Sequence, residues 1–142
     1  MYGNNIEGLD ETTTSTMHAI LADKLIADEI ARQDRMWGLS NERAAVDKGQ
    51  LLRAAFAQLD LLGLKRDGYD DATALSIAAD NYPEGWTGFR DYGSKVANLV
   101  VAAAFLRQEI KRCIANGERT FRSSRDLAKQ PYTGAQPAVI EP

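Results

Sequence analysis

One cysteine, one histidine and four prolines in 142 residues put several kinds of protein out of reach. A single thiol, Cys113, cannot build an internal disulfide framework, so a reducing, cytoplasmic compartment is expected. A single imidazole, His18, cannot complete a pair of histidine ligands or anchor a nucleophilic triad, which argues against histidine-rich zinc sites and Ser-His-Asp hydrolases. A surface or capping role is its expected place. There is no Walker A loop, no GxGxxG and no CxxC. The longest strongly apolar run, Val96 to Leu106, is interrupted by Asn98 and falls well short of the roughly 20 residues that cross a bilayer, so no membrane role is expected. The opening MYGNNIEGLDETTTST carries acids and no basic stretch, unlike a secretory signal. No strand-like alternation is sustained, and no internal repeat occurs.

What is present suits one modest core: 44% of residues are hydrophobic and 26% charged, in a chain of single-domain length. Net charge is −3, the wrong sign for duplex nucleic acid, and it is unevenly spread. Residues 1–47 hold nine acids against four bases, and residues 107–129 hold seven bases against three acids. That asymmetry fits a phosphate-facing segment, charge complementarity between subunits, or simply a solvated helix end and tail.

Apolar spacing predicts about four helices. In the first, capped by Thr14, Ser15 or Thr16, the residues Met17, Ile20, Leu21, Leu25, Ile26 and Ile30 form one buried stripe, and the helix runs to about Met36 before Gly38 breaks it. Ser40 is read as the cap of a second helix with Glu42 in its first turn. Ala44, Ala45, Leu51, Leu52, Ala55, Phe56, Leu59 and Leu62 form its core face, and Glu42, Arg53 and Asp60 its polar face, up to Gly63. Asp70 or Asp71 caps a short third helix that Pro83 stops. The loop PEGWTGFRDYG carries two aromatics, Trp86 and Phe89, that read as exposed, and it is long enough to be functional. Asp91 or Ser94 then starts the most apolar helix, which ends with Gly117 at C′. Apolar nearly all round, it calls for burial on several sides, as in a homo-oligomer, a dimer or a tetramer. The reading is therefore all-α: a helical bundle over 1–117, completed by oligomerisation, and a polar tail over 118–142, weakly ordered or wrapping a partner subunit.

With histidine and cysteine chemistry set aside, carboxylates on helices remain: Asp28, Glu29, Asp34, Glu42, Asp47 and Asp91. Acids projecting from facing helices can hold Mg²⁺ or Mn²⁺, because hard cations take oxygen ligands and leave positions for phosphate. For any one acid, a solvated surface position is the plain alternative.

The stretch EIARQDRMWGLSNERAAVDKGQLLRAA resembles a segment of MazG-like phage proteins, in which a Glu-x-x-Arg-Gln run precedes Trp-Gly, an acidic cluster and a Gly-Glu-Leu-Ala helix start. The counterparts here are Glu29, Arg32, Gln33, Trp37, Gly38, Glu42, Gly49 and Gln50. A second block, YPEGWTGFRDYGSKVANLVVAAAFLRQEIKR, is similar to the family's later helix, which follows a Trp-bearing loop and ends in Glu-Ile-x-Arg, here Glu109, Ile110 and Arg112. Together the blocks span about half the chain. The resemblance implies an all-α hydrolase that cleaves a nucleoside triphosphate, purine deoxynucleotides in phage members, between the α and β phosphates. Location would then be the host cytoplasm. Within that reading Glu29, Glu42, Asp47 and Asp91 are the candidate metal ligands for Mg²⁺ or Mn²⁺, with Glu29 and Glu42 catalytic. Arg32, Gln33, Gln50, Lys95 and Asn98 would line the substrate site, and Trp37 or Trp86 would stack on the base, although each tryptophan also reads as a packing residue. Two departures stand out, since Gln50 and Asn98 occupy places where the family pattern has acids. An amide accepts one metal contact but supplies no charge. The alternatives are thus a relative that binds or sequesters a nucleotide without turnover, and a structural helical phage protein.

Overall fold

The computed structural model describes residues 10–38, 49–117 and 129. These form four helices and their connections, with no strand among the described residues: α1 (Glu11–Trp37), α2 (Gln50–Arg66), α3 (Asp71–Ala79) and α4 (Lys95–Ala115). The all-α reading holds, and no helix among the described residues is long and apolar enough to cross a membrane. Three short acceptor side chains start three of the helices. Asp10 Oδ1 accepts from Thr13 N at 2.7 Å, Asp70 Oδ1 from Thr73 N at 2.8 Å, and Ser94 Oγ from Ala97 N at 3.0 Å. The cap of α1 is therefore upstream of Thr14, Ser15 and Thr16, the residues expected to cap it.

Two glycines in left-handed conformation bracket the connection from α1 to α2. Gly38 (φ 64°) ends α1, its N–H bonding to Asp34 O at 2.7 Å, and Gly49 (φ 76°) precedes α2. A helix running unbroken from Ser40 is ruled out by Gly49, because left-handed φ interrupts the helical ladder. Ser40, Glu42, Ala44, Ala45 and Asp47 lie outside the described residues, as does the tail read over 118–142 apart from Lys129.

α4 is the centre of the arrangement. α2 lies antiparallel along one flank, with Gln58 against Asn98 and Lys65 against Asp91, and α3 packs on α2. α1 runs parallel along the other flank: Gln33 meets Val101, and Trp37 stacks on Phe105 with ring centroids 6.3 Å apart, the same offset in sequence at both places. The core joins Leu51, Ala54, Ala55 and Ala57 of α2 to Val101 and Phe105 of α4, with Tyr82 closing one end. Leu61, Ala74 and Ala78 form a smaller cluster between α2 and α3. Each buried Leu or Phe contributes roughly 1.5–3 kcal/mol, and the alanines let the backbones approach closely.

Two expected faces are corrected. On α2 the buried residues are Leu51, Ala54, Ala55, Ala57, Gln58 and Leu61, while Leu52, Phe56 and Leu59 are exposed, Phe56 by 56%. On α1, Met17, Ile20, Leu21 and Leu25 are exposed and Ile26 and Ile30 half-buried. Continuing the α1–α4 offset puts Ser94 opposite Ile26, so the earlier turns of α1 reach past the start of α4. The loop aromatics Trp86 and Phe89 are corrected too, for both pack against the core beside Tyr82, at centroid distances of 6.0 and 5.1 Å.

Candidate functional site

The loop that leads into α4 is tied down by amides. Gln58 is fully buried on α2, a polar residue on an apolar face, and its Nε2 donates to Asn98 Oδ1 at 2.7 Å and to Arg90 O at 3.0 Å. Tyr92 N donates to the same Asn98 Oδ1 at 3.1 Å, and Asn98 Nδ2 donates to Asp91 Oδ1 at 3.0 Å. Both lone pairs of the Asn98 carbonyl oxygen are thereby used. Asp91 Oδ1 also accepts from Gly93 N at 2.9 Å, and its Oδ2 receives the Lys65 ammonium. The Asn98 amide, then Lys65, then the Gly93 N–H favour the ionised form, holding the Asp91 carboxyl down at about 2. Asp91 in turn raises Lys65.

On the opposite flank of α4 the chemistry gathers round Glu29, whose side chain is only 10% exposed. Arg32 grips it through two bonds, Nε to Oε1 at 2.6 Å and an outer guanidinium nitrogen to Oε2 at 2.7 Å; that nitrogen also donates to Tyr92 Oη at 3.1 Å. The guanidinium lies 5.4 Å from the Tyr92 ring centroid and 5.6 Å from that of Trp37, a cation–π setting. Bonding to Glu29 raises the Arg32 pKa further still. Gln33, fully buried, donates to Glu29 Oε2 at 3.0 Å and to Val101 O at 3.4 Å, and its own Oε1 has no partner. Glu29, Arg32, Arg35, Tyr92 and Ser94 share a groove of about 420 Å³ with the first turns of α4. Ser94 also lines a second groove, of about 500 Å³, that carries Lys65 and Arg66 at the end of α2 and Lys95 at the start of α4. An acid and a cationic groove thus flank one helix N-terminus.

No protein-family model, curated protein or solved structure matches the chain.

Of the residues expected from sequence, Glu29, Arg32 and Gln33 stand together on α1, and Lys95 is exposed at the start of α4 beside the cationic groove. Gln50 is half-buried in the first turn of α2. Asn98 and Asp91 form the loop anchor on the α2 side, joined to the Arg32 clamp through Tyr92. Trp37 and Trp86 are half-buried and packed against the core. His18 is exposed, as expected, in an apolar groove between α1 and α4. Glu42 and Asp47 lie outside the described residues. Among the described residues no group of three or more His, Cys, Asp or Glu side chains is placed to hold a metal ion, so these residues alone do not make a Mg²⁺ cage. Mg²⁺, however, is commonly held by one or two carboxylates together with substrate phosphates, a demand Glu29 meets in part. Three residues were not anticipated: Tyr92, Lys65 and Gln58. Gln58 had a legible signal, since it falls seven residues after Leu51 on the same stripe.

Proposed function

We propose that the protein binds a nucleoside triphosphate, a purine deoxynucleotide in the first instance, across the N-terminus of α4 and hydrolyses it to the monophosphate and pyrophosphate. The observation that carries this reading is the juxtaposition at Ser94: the clamped Glu29 carboxylate in one adjoining groove, and Lys95 and Arg66 in the other. The first-turn N–H groups of a helix attract phosphate, lysine and arginine compensate the remaining charge, and the Glu29 carboxylate lines the adjoining groove. Glu29, together with Glu42 and Asp47 from the segment between α1 and α2, are the residues that would hold Mg²⁺ or Mn²⁺; when bound, such an ion supplies charge neutralisation and an acidified water. Asp91 serves this site by fixing the loop before α4. The MazG-like resemblance of Glu29, Arg32, Gln33, Trp37 and Gly38 supports the reading. Cytoplasmic location belongs to the same proposal.

A second reading has its own support. Glu29 is already compensated by Arg32, and Gln50 and Asn98 stand where acids are expected, all of which favours nucleotide binding without turnover. The two readings separate in one set of measurements on the purified protein with each common NTP and dNTP plus Mg²⁺ or Mn²⁺. Pyrophosphate release supports hydrolysis; a raised melting temperature without release supports binding alone; neither effect removes the nucleotide altogether.

A further inference from the structure

We infer that Arg32 stands in the place of a cation on Glu29 and gives that place up to a polyphosphate, so that a divalent ion gains Glu29 only in company with the phosphate chain. The inference rests on the phosphate and metal site proposed at the N-terminus of α4, and it concerns the order in which that site fills.

Glu29 is not open to an ion as it stands. Of the roughly four lone-pair positions on a carboxylate, three are taken. Oε1 accepts from Arg32 Nε at 2.6 Å, and Oε2 accepts from Arg32 Nη2 at 2.7 Å and from Gln33 Nε2 at 3.0 Å. The two Arg32 bonds are the forked pairing that guanidinium and carboxylate favour, and little water reaches the Glu29 side chain to compete with them. A divalent ion entering here would meet a fixed positive charge across the same two oxygens.

Arg32 is less firmly enclosed. Its side chain is 25% exposed and, with Arg35 and Ser94, lines the groove at the start of α4. Among the described residues its Nη1 meets only the Met36 Sδ, at 2.9 Å, and a thioether is a weak acceptor. That edge of the guanidinium is left for a phosphate, which suits the same planar fork and brings more charge than a carboxylate. The Trp37 and Tyr92 rings, 5.6 and 5.4 Å from the guanidinium carbon, attract the cation whether or not Glu29 does. Gln33 stays behind, because its Nε2 is also bonded to Val101 O, and it keeps Glu29 in position when Arg32 turns to phosphate. A carboxylate this buried, once stripped of its guanidinium, needs a new counter-charge. The ion that accompanies a nucleoside triphosphate supplies it.

Titration of the full chain with Mn²⁺ alone, followed by the electron paramagnetic resonance of the free ion, tests this without any nucleotide. The wild type is expected to bind weakly. Arg32→Gln, which removes the charge, should bind one Mn²⁺ at least tenfold more tightly, and Arg32→Gln combined with Glu29→Gln should return to the wild-type level. No gain in Arg32→Gln with unchanged circular dichroism overturns the inference, and so does a gain that survives Glu29→Gln. If Arg32→Gln does not fold, the wild type decides: the ¹⁵N–¹H resonance of Arg32 Nε should move on addition of metal-free inorganic triphosphate, and an unmoved resonance at millimolar triphosphate overturns the inference. Neither measurement involves turnover, so a lack of pyrophosphate release counts against hydrolysis alone and leaves the Arg32 inference to these two readouts.

Discussion

Asn98 shows why an amide, rather than an acid, stands at the head of α4. Its oxygen must accept from Gln58 and from Tyr92 N, and its nitrogen must donate to Asp91. An aspartate would keep the first two bonds but face the Asp91 carboxylate with like charge and no donor. Asn98→Asp is therefore expected to cost about 2–4 kcal/mol in a urea titration, from a broken hydrogen bond and a buried repulsion; wild-type stability in that variant would show that the loop anchor is misassigned. The same network gives a pH signature. The folded-state pKa of Asp91 is depressed to about 2 from an ordinary 3.8, so its contribution to stability is fully present above pH 4 and is lost as pH falls through about 2. Melting temperature measured between pH 5 and pH 2 should fall, and Asp91→Asn should remove part of that fall. An identical acid profile in the variant would mean Asp91 is not the group responsible.

Helix starts and stops are written in short-range chemistry, which made several of them legible, although the starts of α1 and α2 lie at Asp10 and Gly49 rather than at the residues expected. Asp70, Ser94, Gly38 and Gly117 act as the cap and break residues that their types imply, because capping depends on groups only three or four residues away. Facing is a tertiary matter, and there the pattern misled. α2 carries two apolar strips, and the one with the larger residues, Leu52, Phe56 and Leu59, points outward, whereas the strip rich in alanine and containing Gln58 faces α4. Small side chains win the inner position because they allow close helix approach, and the Gln58–Asn98 bond offsets the cost of burying an amide. Leu61, fully buried, is the position to truncate: Leu61→Ala should lose about 2–5 kcal/mol at any protein concentration. Phe56→Ala, at a position 56% exposed, should instead lose less than about 1 kcal/mol. A loss of the same size as that of Leu61→Ala would mean α2 is rotated from the orientation described.

Taken as one body, the described residues pack α1 and α2 on α4, with α3 on the back of α2, and bring two chemically different grooves to the N-terminus of α4. Glu29, Arg32 and Gln33 were recognisable in the sequence as a unit, since neighbouring turns of one helix keep residues together whatever the tertiary packing. The convergence of Lys65, Tyr92 and Asn98 was not recognisable, because it depends on the antiparallel register of α2 and α4 and on a loop folded back over both. Under the proposed function, the phosphate chain would lie beside Ser94 and Lys95, with Glu29 on the catalytic side. The decisive measurement is phosphorus NMR of the products formed from dATP or dGTP with Mg²⁺ or Mn²⁺, by the wild type and by Glu29→Gln. The expected result is pyrophosphate and the nucleoside monophosphate from the wild type, with at least a hundredfold loss, about 2.7 kcal/mol, in a variant whose circular dichroism is unchanged. Orthophosphate as the sole phosphorus product, or equal turnover by the glutamine variant, would contradict the proposal.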